Sequence, residues 1–185
     1  MKKELEAKNC LCPLPVTLVG ANVNGKPNYM TIAFVGVMDY MKISIAMGKN
    51  QYTNAGVREN GTFSVNLPST KLVKETDYCG LVSGRDVDKG RLFETFYGKL
   101  KTAPMIIECP INMECKLIQT ISMDSHDVFV GEIIETYGDD EILKNGKVDA
   151  EKFEPILFIT FDTKYWKLGE SFAQAWNIGK ELKEA

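Results

Sequence analysis

One histidine, His126, is all that this 185-residue chain contains, which rules out a metal cluster built on several imidazoles. No Cys-x-x-Cys pair occurs, and the five cysteines, Cys10, Cys12, Cys79, Cys109 and Cys115, are odd in number. Neither a zinc ribbon nor a closed disulfide framework fits, and a reducing compartment suits such thiols. No apolar run nears the roughly 18 residues of a membrane-spanning helix; the best, Met30 to Met38, ends at Asp39. The apolar stretch from Leu11 to Ala21 follows Glu4 and Glu6 and is broken by Pro13 and Pro15, unlike a secretory signal. A basic excess is missing too: 22 Lys and Arg against 25 Asp and Glu leave a net charge of -3, a poor match to a nucleic-acid surface. There is no Gly-x-Gly-x-x-Gly, hence no separate dinucleotide domain. The expectation is a cytoplasmic protein with no metal, no membrane and no nucleic acid.

What is present is the material of an ordinary folded domain. Hydrophobic residues make up 44% and charged residues 25% of the chain, which is enough for one core. The length and the lack of a dividing linker predict a single domain over 1–185. Pro15 to Val23 and Asn28 to Met38 flank Asn24-Gly25, a pair that favours a two-residue hairpin turn, with Lys26 and Pro27 lengthening the loop. A third strand is expected over Lys42 to Gly48. Asn50 is placed to cap a helix starting near Gln51 and ending at Asn60-Gly61, and TFSVNLP returns as a strand. Two helical pieces are expected between Ser69 and Gly98, around an exposed SGRDVDKG loop. MIIECP, NMECKLIQTISM, DVFVGEIIETYG and PILFITFD read as strands, the middle two joined at Asp124 to His126, and a loop and helix close the chain. The pattern is mainly β with inserted helices, arranged as a closed antiparallel barrel.

The junction Met47, Gly48, Lys49, Asn50, Gln51, Tyr52, Thr53 carries the chemistry. A glycine lets a ligand approach the backbone, a helix start offers free N–H groups, and Lys49 and Thr53 add a charge and a hydroxyl; together these suit a phosphate.

PNYMTIAFVGV, KISIAMGKNQYT, GTFSVNLP, DSHDVFVGEI and YWKLGE, in that order, resemble the flavin reductase-like, FMN-binding split-barrel family. The SGRDVDKG loop and the cysteine of DYCG resemble its flavoredoxin branch. The resemblance implies a six-stranded antiparallel split β-barrel, a homodimer, and one FMN per subunit near the interface. It places Asn28 and the strand Thr31, Ile32, Ala33 along the isoalloxazine, although Ile32 and Phe34 also read as plain core. It sets Met47, Gly48, Lys49 and Thr53 around the ribityl phosphate, and Lys89, with Ser83 and Gly84, at flavin-contacting positions. His126 would donate to the flavin or the nicotinamide as the catalytic candidate, and Trp166 or Tyr165 would cover the ring, with Phe161, Phe172 and Trp176 competing for that role. Asn28 stands ahead of its strand and is read as free to bind. The function implied is electron transfer from NADH or NADPH to flavin or a downstream acceptor. The alternatives are a flavoredoxin-type carrier serving a redox protein partner without direct nucleotide use, and a flavin-free scaffold.

Overall fold

The computed structural model describes residues 1–183. Its body is one antiparallel sheet built from β1 (Thr17–Val23), β2 (Lys26–Ile32), β3 (Val35–Asp39), β4 (Lys42–Gly48), β5 (Thr62–Leu67), β6 (Ile111–Ser122) and β7 (His126–Gly138). Its order is β2-β1-β5-β6-β7-β4-β3. Asn24 and Gly25 form the expected tight turn, with φ of 52° and 74°, the left-handed pair that a right-twisted hairpin needs. Lys26 and Pro27 belong to β2 and do not lengthen the loop.

The sequence reads Asn28 to Met38 as one strand, but it breaks after Ile32. Ala33 and Phe34 separate β2 from β3, and these consecutive strands occupy opposite edges of the sheet. The expected six strands therefore become a seven-stranded ladder with no pairing between β2 and β3.

Alternation along the strands feeds two cores. Val19, Ala21, Met30 and Ile32 join Ile45, Met47, Val57, Phe63 and Phe129 on one face. On the other face Leu18 and Tyr29 meet Cys79, Phe93, Ile106 and Cys109. Helix α1 (Thr53–Asn60) follows β4, and α2 (Val73–Leu81) packs over β2.

Three local expectations are corrected. Asn50 does not cap α1: Tyr52 occupies that position without a side-chain cap, while Gly61 ends the helix at φ 62°. The second helical piece is a single 3-10 turn, Lys89–Leu92, followed by the strand Thr95–Phe96, which pairs with Met105–Ile106. The closing segment forms the strand Lys164–Trp166 against Leu157–Ile159 and regains helical character only as the 3-10 turn Ile178–Lys183.

Candidate functional site

β4 ends where β7 begins, and Gly48 stands opposite His126 in the register. The chain then turns sharply into α1. Gln51 N donates to Gly48 O, and the Asn54 side-chain amide reaches back to Gly48 O at 2.9 Å and Lys49 O at 3.3 Å. Asn54 is 2% exposed, and its Oδ1 has no partner. Asparagine is a poor interior helix residue because it seeks such backbone bonds; that was the available signal for its role. Lys49 N donates to Ser125 O, which ties the turn to the β6–β7 hairpin. The Lys49 side chain is exposed. Ser125 Oγ lies 2.8 Å from His126 Nδ1, and the half-buried imidazole sits 5.8 Å from the Phe34 ring.

The other side of the turn borders a cleft of about 320 Å³, lined among others by Asn28, Tyr52, Gly84, Arg85 and Lys89. Asn28 Nδ2 donates to Thr53 Oγ1 at 2.8 Å, both residues being buried. Gly84 packs so closely on Asn28 Oδ1 and the Tyr52 ring that a Cβ would collide with both. Arg85 donates to Asn50 O at 3.0 Å and lies 5.4 Å from the Tyr52 ring centroid, a cation–π arrangement. Lys89 is 2% exposed. Its Nζ donates to Cys79 O at 3.0 Å and Val82 O at 3.2 Å at the end of α2, where free carbonyls favour a cation. Burial pushes the Lys89 ammonium below the ordinary lysine value.

The profile of the flavin reductase like domain matches residues 9–165. The chain belongs to this flavin reductase-like family. Its mainly β architecture with few helices is the flavin reductase-like fold. A flavoredoxin from Methanosarcina acetivorans is 45% identical at a TM-score of 0.93, with 98% of this chain and 100% of that one covered. The flavoredoxin of Desulfovibrio vulgaris (Miyazaki F) is 32% identical at 0.90, with 97% and 100% covered. An uncharacterised protein of Archaeoglobus fulgidus is 34% identical over 144 residues, 75% of this chain and 80% of that protein.

Within this flavin reductase-like chain two groups of sequence candidates come together, and the rest lie apart. Asn28, Thr53, Gly84 and Lys89 meet at the cleft, and Gly48, Lys49 and His126 meet at the neighbouring turn. Asn28 lies inside β2 rather than ahead of it, and its amide is engaged by Thr53, so it is not free. Lys89 is no solvated loop charge: its stem is buried and its ammonium caps α2. Ile32 and Met47 point into the main core and can offer a ligand only backbone. Phe34, read as core, is 45% exposed. Thr31 donates its hydroxyl to Thr76 O, and Ala33 is half-buried at the break between β2 and β3. Ser83 shapes the loop, its Oγ accepting from Arg85 N. Trp166 is 52% exposed on the small outer sheet, next to Tyr165, whose hydroxyl donates to Asp77 of α2. Asn54, Arg85 and Ser125 contribute beyond the residues the sequence points to, and Tyr52, part of the junction, adds its ring as a wall of the cleft. Arg85 acts through contacts 35 residues away that no local pattern marks, whereas Asn54 and Ser125 act through near neighbours in the chain.

Proposed function

We propose that this protein binds FMN and transfers electrons from NADH or NADPH to flavin or to a downstream acceptor. The observation that carries the reading is that the Gly48–Thr53 turn stands between His126, paired with Gly48, and the Asn28–Gly84–Lys89 cleft, which Tyr52 lines and to which Thr53 is bonded through Asn28, in a chain 45% identical to a flavoredoxin.

The residues fit the cofactor. Among the described residues the amides of Tyr52 and Thr53 have no backbone acceptor, and the Asn54 Oδ1 is buried without a donor. First-turn amides are free at any helix start and are open to an anion, and a buried acceptor without a donor calls for a partner. The cleft volume, about 320 Å³, falls at the lower end of small-molecule sites, roughly 300–1,000 Å³. Lys49, Thr53 and the turn amides would hold the phosphate, and Gly84 and the backbone of Thr31 to Ala33 would meet the ring, with Asn28 and Lys89 shaping the cleft wall through their bonds to Thr53 and to the end of α2. Ser125 fixes the His126 ring by its Nδ1 contact, so Nε2 is the nitrogen presented to a ligand. FMN supplies the redox chemistry when bound, and the protein orients it and shields it from water.

The whole chain is read as one flavin-binding domain whose sheet wraps as a six-stranded split barrel, with Asn28 to Met38 counted as one bent strand. A homodimer is supported by Phe172 and Trp176, 99% and 95% exposed in the single chain, since aromatic surface of this kind normally marks an interface. Light scattering tests it, and a flavin-loaded monomer refutes it.

A second reading, a carrier with tightly held FMN and no direct nucleotide use, is favoured by the identity to two flavoredoxins. Colour and reduction separate the possibilities. Purified protein that is yellow and releases FMN on denaturation supports flavin binding, and colourless protein that takes up no FMN refutes it. Anaerobic bleaching by NADH or NADPH supports the reductase; bleaching only by a reduced protein partner supports the carrier.

A further inference from the structure

The five cysteines divide into two chemistries. Cys79, Cys109 and Cys115 have no exposed surface. Burial pushes the Cys79 thiol up to about 11 and the Cys115 thiol up to about 12, and raises Cys109 as well. Such thiols stay protonated near neutrality and are inert. Cys10 and Cys12 are both exposed. They lie in an N-terminal segment with no helix or strand before Leu14–Pro15.

Only Leu11 stands between them. Cys12 precedes Pro13, and a residue before proline is steered away from the helical region into extended backbone. In an extended chain residues i and i+2 project from the same face, with Cα atoms at most about 7 Å apart. That span overlaps the separation of about 4.4–6.8 Å over which a disulfide closes. Leu11 is 72% exposed and its amide donates to Asn9 Oδ1 at 2.9 Å, so a local bond rather than packing orders the segment. The first ladder contact, Leu14 opposite Phe158, comes after the pair; closing a bond between the thiols leaves the sheet untouched.

A metal ion is the competing partner for two neighbouring thiols. No group of three or more His, Cys, Asp or Glu able to hold one occurs among the described residues, and two thiolates fill only half of a tetrahedral zinc shell. We propose that Cys10 and Cys12 form a reversible dithiol–disulfide couple that exchanges with small-molecule disulfides of the glutathione type. One cysteine, as thiolate, attacks a sulfur of the small disulfide, breaking its S–S bond and releasing one thiol. The second cysteine gives its proton to solvent and attacks the protein sulfur of the mixed disulfide. The Cys10–Cys12 bond forms and the second thiol leaves, taking up a proton. The pair loses two electrons and two protons, and the small disulfide gains both. A ring this short is strained, which makes the bond labile and suited to exchange rather than to holding the fold. The couple does not depend on the flavin reading.

The test treats reduced, full-length protein with glutathione disulfide, traps free thiols by alkylation and follows the products by intact-protein and peptide mass spectrometry. The expected product has lost two hydrogens, localised to the peptide carrying Cys10 and Cys12, and retains no glutathione. Its three remaining thiols alkylate only after denaturation, and glutathione returns the pair to the dithiol. Cys10→Ser and Cys12→Ser, each with one exposed thiol left, should each keep a single glutathione. Wild-type protein that retains a glutathione on both cysteines, or that reacts at neither, overturns the couple. Flavin content, measured in parallel, separates that outcome from a failure of the cofactor assignment.

Discussion

Lys49→Ala separates charge from scaffold. The side chain is exposed, and its backbone amide, which donates to Ser125 O at 3.1 Å, survives the substitution. Folding stability should therefore stay within about 0.5 kcal/mol of the wild type. A hydrogen bond to a charged partner is worth about 1.5–3 kcal/mol, and exposure with salt screening places Lys49 at the low end, about 1.5–2 kcal/mol. FMN affinity should then fall roughly tenfold to thirtyfold. Riboflavin, which lacks the phosphate, should bind the variant and the wild type alike. Flavin fluorescence titrations at two ionic strengths measure this, and the gap between the proteins should narrow at the higher salt. Equal losses for FMN and riboflavin, or no loss for either, would refute the placement of the phosphate at this turn. Thr53→Val is the buried counterpart. It strips Asn28 Nδ2 of its acceptor at 2.8 Å, and a buried donor left unpaired costs roughly 1–3 kcal/mol. Stability and flavin affinity should fall together in that variant.

Gly84→Ala drives a Cβ into Asn28 Oδ1 and the Tyr52 ring. Overpacking of that kind costs about 1–3 kcal/mol and should weaken FMN and riboflavin binding equally; unchanged melting and binding would remove the 83–89 loop from the site. His126→Ala should lower the midpoint potential of bound flavin or slow its reduction by NADH or NADPH, because a donor strengthens most toward the more negatively charged state. It should affect oxidised-FMN binding less than Lys49→Ala does, and no change in potential, rate or affinity returns His126 to a plain turn residue. The Arg58 guanidinium, 2.5 Å from Asp127, holds that carboxyl below the ordinary aspartate value. The folded pKa is depressed, so the stabilisation is complete above the unfolded value of about 3.9 and is lost as pH falls through the folded one. The stability deficit of Asp127→Asn, read by urea unfolding, should shrink with acidification in that window; a constant deficit contradicts the ion pair.

Local features of the sequence determined the strands and their turns. Asn24-Gly25 sets the β1–β2 hairpin through its left-handed φ values, and alternation along Lys42–Gly48 decides which side chains point inward, because both effects act within a few residues. The Gly48–Thr53 turn was legible for the same reason: a glycine and a helix start are neighbours in the chain. Tertiary structure decided the rest. Ala33 and Phe34 break a continuous apolar run only because its two halves serve opposite edges of the sheet, which leaves Phe34 exposed beside His126. Lys89 reads as a loop charge until α2 presents the carbonyls of Cys79 and Val82 to it. Arg85 finds Asn50, Tyr52 stacks beneath it, and Asn28 finds Thr53 across 25 residues. Each of these contacts joins segments that only the folded chain brings together, and for Asn28 and Lys89 the free energy depends on burial that exists only once the sheet has formed.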